Sequence, residues 1–123
     1  MRTVPMLIAA GMNEFLEVVA TDEPGSGNAN HRYEIRANRI TTTDNFPAVI
    51  EFQNGPIKEA GVNGISNEAL LAIVADRLRG FQSGPFACRD NALALTHVET
   101  ALLWLGKRTA ERVVRGVEGT NQI

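Results

Sequence analysis

The arginines are the residues of this chain whose spacing most invites chemistry. Arg77, Arg79, Arg89, Arg108, Arg112 and Arg115 all fall in its second half. Arg108, Arg112 and Arg115 stand at i, i+4 and i+7, which puts them on one face of a helix. Guanidinium forks match the oxygens of a phosphate, so this face can hold an anion. Glu111 and Glu118 are near enough to neutralise part of it. On spacing alone two readings stay open: a solvated, ion-paired helix surface, or an anion site. Phe81 and Asn91 flank a Ser83-Gly84-Pro85 break, with Phe86 between them. An aromatic ring beside an amide and arginines can stack on and read a nucleobase. Phe81 equally suits a core, and Asn91 a solvated helix start.

Catalytic constellations are missing. His31 and His97 are the two histidines, and Cys88 precedes His97 by nine residues. On a straight helix that is more than two turns, too far for a nucleophile and its base to share a hydrogen bond within one chain. Neither histidine has carboxylates at metal-binding spacing. There is no Gly-rich phosphate loop ending in Lys-Ser/Thr and no dinucleotide fingerprint. The sequence thus predicts no catalytic residue, no metal and no cofactor. The single cysteine excludes a disulfide within the chain and makes a cysteine zinc site untenable. A free thiol fits a reducing cytoplasm.

The elements that must position these groups change character along the chain. Glu14–Ala20, His31–Arg36 and Ala48–Gln53 read as three antiparallel strands. In the second of them Tyr33 and Ile35 share one face, while Arg32, Glu34 and Arg36 share the other. Asp22–Asn30, rich in Gly and Asn, is a loop, and Asn54-Gly55-Pro56 closes the last strand. Ser66 is a suitable N-cap for a helix over Asn67–Gln82, with Glu68 in its first turn. Pro85 then suits the first turn of a long helix running from Phe86 to about Arg115. That helix carries Leu93, Leu95, Val98, Leu102, Leu103, Trp104, Leu105, Val113 and Val114, apolar on more than one face. Such a helix needs covering on several sides, and other copies of the chain are the expected cover. The fold class expected is α+β: an antiparallel sheet region over 1–62, then a helical hairpin over 63–123, forming one compact unit.

Composition limits the partners. With 123 residues, 44% hydrophobic and 21% charged, the chain has ordinary globular character. A chain of this size buries only about two-thirds of its unfolded surface alone. Its net charge of −2 argues against broad binding to DNA or RNA, which needs a basic face. The apolar patch Met6–Ala10 is too short to span a membrane and makes a poor signal peptide. A cytoplasmic protein is expected.

The run Phe81-Gln82-Ser83-Gly84-Pro85-Phe86-Ala87-Cys88-Arg89-Asp90-Asn91-Ala92-Leu93-Ala94-Leu95-Thr96 resembles the phage Thoeris anti-defence family, first type. So do the tail Arg112–Thr120 and, upstream, Phe52–Pro56 and Gly61–Gly64. Part of the hairpin motif is shared with a phage anti-CBASS sponge family. The likeness covers roughly the last 70 residues, and the β-rich part fits more loosely. The resemblance implies a sponge. Such a protein sequesters, without cleaving it, the glycocyclic ADP-ribose made by a TIR-domain enzyme in the infected bacterial cell. Dimers that build hexamers are implied, as is a second site for CBASS cyclic di- or trinucleotides in some members. Carried over by motif, Phe81 stacks on adenine, Asn91 reads the ligand, and Arg108 contacts the diphosphate or base. Arg112, Arg115 and Thr120 serve this pocket or the second site. Some relatives have arginine just after the Gly-Pro turn. Here Ile57 and then Lys58 follow, and Lys58 supplies the charge. The competing reading is a structural or protein-interaction module that uses the long helix and takes no small ligand.

Overall fold

A computed structural model describes residues 1–123. The chain divides into two compact units: Met1–Gly55 with Ala60–Gly64, and Pro56–Glu59 with Ile65–Ile123. The class is α+β, with an antiparallel sheet followed by helices.

The sheet unit has four strands rather than the three expected. They are β1 (Arg2–Val4), β2 (Leu16–Ala20), β3 (Arg32–Ala37) and β4 (Ala48–Glu51), in the order β1-β2-β3-β4. Pairing runs Thr3 to Val19, Val18 to Ile35 and Tyr33 to Ile50. β1 is too short to show an alternation. It exists because the edge of β2 offers a ladder to pair with, a tertiary cause rather than a local one. Glu14 and Phe15 belong to a 3-10 turn over Gly11–Phe15, so β2 starts at Leu16 instead of Glu14. Asn38 anchors that turn by donating from Nδ2 to Glu14 O at 2.9 Å.

Val19 and Ala20 are buried, and the Tyr33 ring meets Phe52 edge-on at 5.8 Å. On β3 the expected charged face forms. Arg32 and Arg36 donate to the two Glu34 oxygens at 2.8 and 3.0 Å. These bonds, Arg32's first, hold the Glu34 carboxyl below the usual glutamate range. Gly64 is fixed by close approach: a Cβ there would lie 2.4 Å from the Phe52 carbonyl carbon.

The helical unit takes in the single turn α1 (Ile57–Ala60) as far as Glu59, then α2 (Asn67–Gln82) and α3 (Arg89–Arg115). Ser66 caps α2 as expected, its Oγ accepting from the Ala69 N–H at 3.0 Å. α3 starts at Arg89, not Phe86. Pro85 lies in the connecting turn, where the Ala87 N–H bonds Gly84 O at 3.2 Å. The cap is Cys88: its backbone is extended, and its Sγ accepts the Asn91 N–H at 3.4 Å. At 1.5 Å per residue α3 is about 40 Å long.

α2 and α3 pack as a hairpin around buried Ala75, and Arg79 pairs with Glu99 at 3.1 Å. Gly116 ends α3 in the left-handed region (φ +72). The Val117 N–H then returns to Arg112 O at 3.0 Å, closing the helix end. No helix is long and apolar enough to cross a membrane.

Candidate functional site

The residues singled out in the sequence gather in two places on the helical unit, with Arg108 on α3 between them. The first place is the turn of the hairpin. α2 delivers Arg77 and Phe81 one turn apart, and the Ser83–Ala87 break brings Phe86 back against them. The Phe81 and Phe86 rings meet edge-on at 6.4 Å. The Arg77 guanidinium lies 5.5 Å from the Phe81 centroid, over its face, where the ring quadrupole attracts a cation. Phe81 is 39% exposed, so it is half-packed and not a core residue. Asn91, in the first turn of α3, donates weakly to Phe86 O at 3.4 Å. Its side-chain oxygen accepts no hydrogen bond within the chain. The turn thus presents an aromatic face, a cation and an amide with spare bonding capacity.

The second place is the C-terminal end of α3. Arg112 is the one buried charged residue, 7% exposed. Its Nε donates to Glu118 at 3.1 Å. Nη1 donates to Gln122 O at 2.5 Å, and Nη2 to Val117 O and Thr120 O at 2.9 and 3.2 Å. The Thr120 hydroxyl donates to Val117 O and accepts the Gln122 N–H. Arg115 donates to Ile123 O at 2.9 Å. Lys58 joins this group: its backbone N–H bonds Gly119 O at 3.2 Å, and its side chain runs past the Gly119 α-carbon.

Arg108 is exposed and makes neither a hydrogen bond nor an ion pair within the chain. Its neighbour Lys107 instead pairs with Glu111 at 2.6 Å, which holds the Glu111 carboxyl below its usual range. The arginine face therefore splits. Glu111 and Glu118 neutralise Lys107 and Arg112, and Arg108 is left without a carboxylate.

Asn91 and Arg108 are 17 residues apart on one straight helix, about 25 Å along its axis. Arg112 lies one further turn away. A nucleotide-sized molecule cannot touch both ends of α3 in the same chain. Sequence reasoning counted Arg77 among the hairpin arginines without joining it to Phe81, one turn later on α2. It missed Cys88 as a cap, since a thiol is an uncommon one.

Comparison with known proteins places this hairpin. A family model described as Acb2/Tad1, hairpin domain, matches residues 47–110. The match includes Lys58, Phe81, Asn91 and Arg108, and it ends before Arg112. Over 75 residues the chain is 56% identical to Thoeris anti-defense 1 of Bacillus phage SBSphiJ7. That stretch is 61% of the chain and 53% of the relative, so the chain spans about half the length of the curated protein it matches. With more than half of its residues under the family model and this identity across the hairpin, the chain belongs to the Acb2/Tad1 hairpin family.

Proposed function

We propose that this chain is a phage anti-defence sponge that binds glycocyclic ADP-ribose and withholds it from the Thoeris immune effector, without cleaving it. The observation that carries this reading is the hairpin turn. There Phe81 offers a half-exposed ring face, Arg77 a cation above it, and Asn91 an amide with open capacity. These are the contacts a nucleobase takes. Arg108 supplies an uncompensated guanidinium for the diphosphate.

The 25 Å between Asn91 and Arg108 makes the pocket a joint one: the turn of one copy meets the Arg108 region of another. The surface of α3 supports this. Trp104 is 66% exposed and Val114 87% exposed, and Leu103 and Val113 are open as well. Apolar groups in such number on one helix favour burial against a partner. A second copy covers them, in a dimer that can build a hexamer.

Stacking contributes about 1–3 kcal/mol per base. Each charge-assisted hydrogen bond to phosphate adds about 1.5–3 kcal/mol. A preformed pocket with several such contacts reaches the nanomolar range, near −12 kcal/mol.

Calorimetric titration with glycocyclic ADP-ribose, followed by heat denaturation and recovery of the ligand, tests the proposal. Tight binding with intact ligand released is expected. A hydrolysed product would make the protein an enzyme, and no binding would remove the sponge reading. The same titration with a cyclic trinucleotide tests a second ligand class. If the chain is monomeric in solution and binds neither ligand, the open face of α3 is left as a docking surface for another protein.

A further inference from the structure

We infer that Arg112 is a positioning residue rather than a ligand contact: it latches the segment Val117–Gln122 onto the end of α3, one turn beyond Arg108, and through that segment it sets the place of Lys58 as a second cation for the anion that Arg108 takes. This rests on the sponge reading above and assigns a part of the site that the family match does not reach.

The first ground is donor accounting. A guanidinium has five N–H donors. Four of those on Arg112 go to Glu118, Gln122, Val117 and Thr120, all in the following segment. One Nη1 hydrogen remains, so neither edge of the fork is free for bidentate binding of a phosphate. A ligand would have to displace the protein's own carbonyls from a side chain that is 7% exposed.

The second ground is connectivity. Gly116 and Val117 turn the chain back across the helix end, and Val117 is buried. Gly119 sits at φ +79, a conformation that suits glycine. Its carbonyl accepts the Lys58 N–H at 3.2 Å, and a Cβ built on it would meet Lys58 Cγ at 3.5 Å. Lys58 is itself exposed and has no carboxylate partner in the chain. Its backbone and the stem of its side chain are held by the segment that Arg112 clasps, while its ammonium is left open. Arg112 therefore sets where this charge stands.

Three variants decide the point: Arg112→Lys, Lys58→Ala and the double variant. Each is measured by calorimetry against glycocyclic ADP-ribose and by hydrogen exchange of amides 117–122. Lysine keeps the charge but cannot bridge four acceptors. Arg112→Lys is expected to speed exchange of the segment at least tenfold. It should weaken binding about as much as Lys58→Ala does, about tenfold. The double variant should bind no worse than Lys58→Ala, because both substitutions act through one contact. Weakened binding with an unchanged exchange rate would mean direct contact and overturn the inference. So would a released segment with wild-type affinity, additive losses in the double variant, or wild-type affinity in Lys58→Ala.

If Arg112→Lys does not fold, Gly119→Ala replaces it. It leaves the guanidinium in place while straining the backbone and crowding Lys58. Wild-type affinity in a Gly119→Ala protein whose segment exchanges faster overturns the inference equally. Failure of the wild-type protein to bind would instead remove the functional reading itself.

Discussion

At the turn of the hairpin, Phe81, Arg77 and Asn91 keep a ring face, a charge and an amide oxygen open to the outside. At the far end of α3, Arg112, Arg115 and Thr120 are tied to carbonyls of their own chain. Both ends carry residue types that recognise nucleotides. The difference between them is commitment. A polar group already matched inside the protein stabilises the fold, and its loss leaves partners unsatisfied. A group left open costs the fold little and remains available to a ligand. Residue type alone does not separate the two cases; the hydrogen-bond partners do.

The sharpest way to break this comparison is to remove one arginine from each category. Arg112→Ala strands the Glu118 carboxylate and three carbonyls, so a loss of about 3 kcal/mol of stability is expected. Arg108→Ala removes an exposed, unpaired side chain, and its stability should stay within about 0.5 kcal/mol of wild type. Ligand affinity should fall in the Arg108 variant although its fold is intact. Denaturant melts of both proteins, with a titration of Arg108→Ala, check the pair. Equal stability losses would show that Arg108 also belongs to the fold.

The contrast also explains what could be read from the sequence. The hairpin was legible because its signals are local: Ser66 before an apolar helical repeat, a Ser-Gly-Pro break, and a long repeat after it. The charged face of β3 was legible from the alternation of Arg32, Glu34 and Arg36. β1 was not, because three residues carry no period and only the neighbouring strand makes them extended. The start of α3 was misplaced for a related reason. Pro85 is compatible with a helix N-terminus, but the turn to Cys88 used it first. At the site, the i, i+4, i+7 spacing of Arg108, Arg112 and Arg115 correctly described one helix face. It carried no information on the chain folding back at Gly116, and that return is what separates Arg112 from Arg108.

A smaller effect is expected at the turn. Phe81→Ala should weaken ligand binding by about 1–3 kcal/mol through lost stacking. Asn91→Ala should weaken it further than its single poor internal bond to Phe86 O would suggest. Because Phe81 is half-exposed and touches Phe86 only edge-on, the fold should tolerate both changes. Thermal melts and the elution volume should stay near wild type while affinity for the nucleotide falls. A changed elution volume in Phe81→Ala would reassign that ring to packing between copies, and the turn would no longer stand as the open end of the comparison.

The smallest effect tests whether the open end is also held by weak local bonds. Cys88 caps α3 with a thiol, a poor acceptor, and its Sγ sits 3.4 Å from the Asn91 N–H. Its backbone already has the extended geometry of a good N-cap (φ −155, ψ 164). Serine offers a stronger acceptor at a position where serine is among the preferred caps. Cys88→Ser should therefore raise stability by about 0.5 kcal/mol, visible as a small increase in the denaturation midpoint. Affinity for the nucleotide should not change, because the cap fixes the backbone of Asn91 and leaves its side-chain oxygen untouched. A drop in stability would show that the sulfur packs rather than caps. A gain in affinity would show that fraying of the first turn of α3 limits binding, so that the end with open groups depends on its local structure as much as the clasped end does.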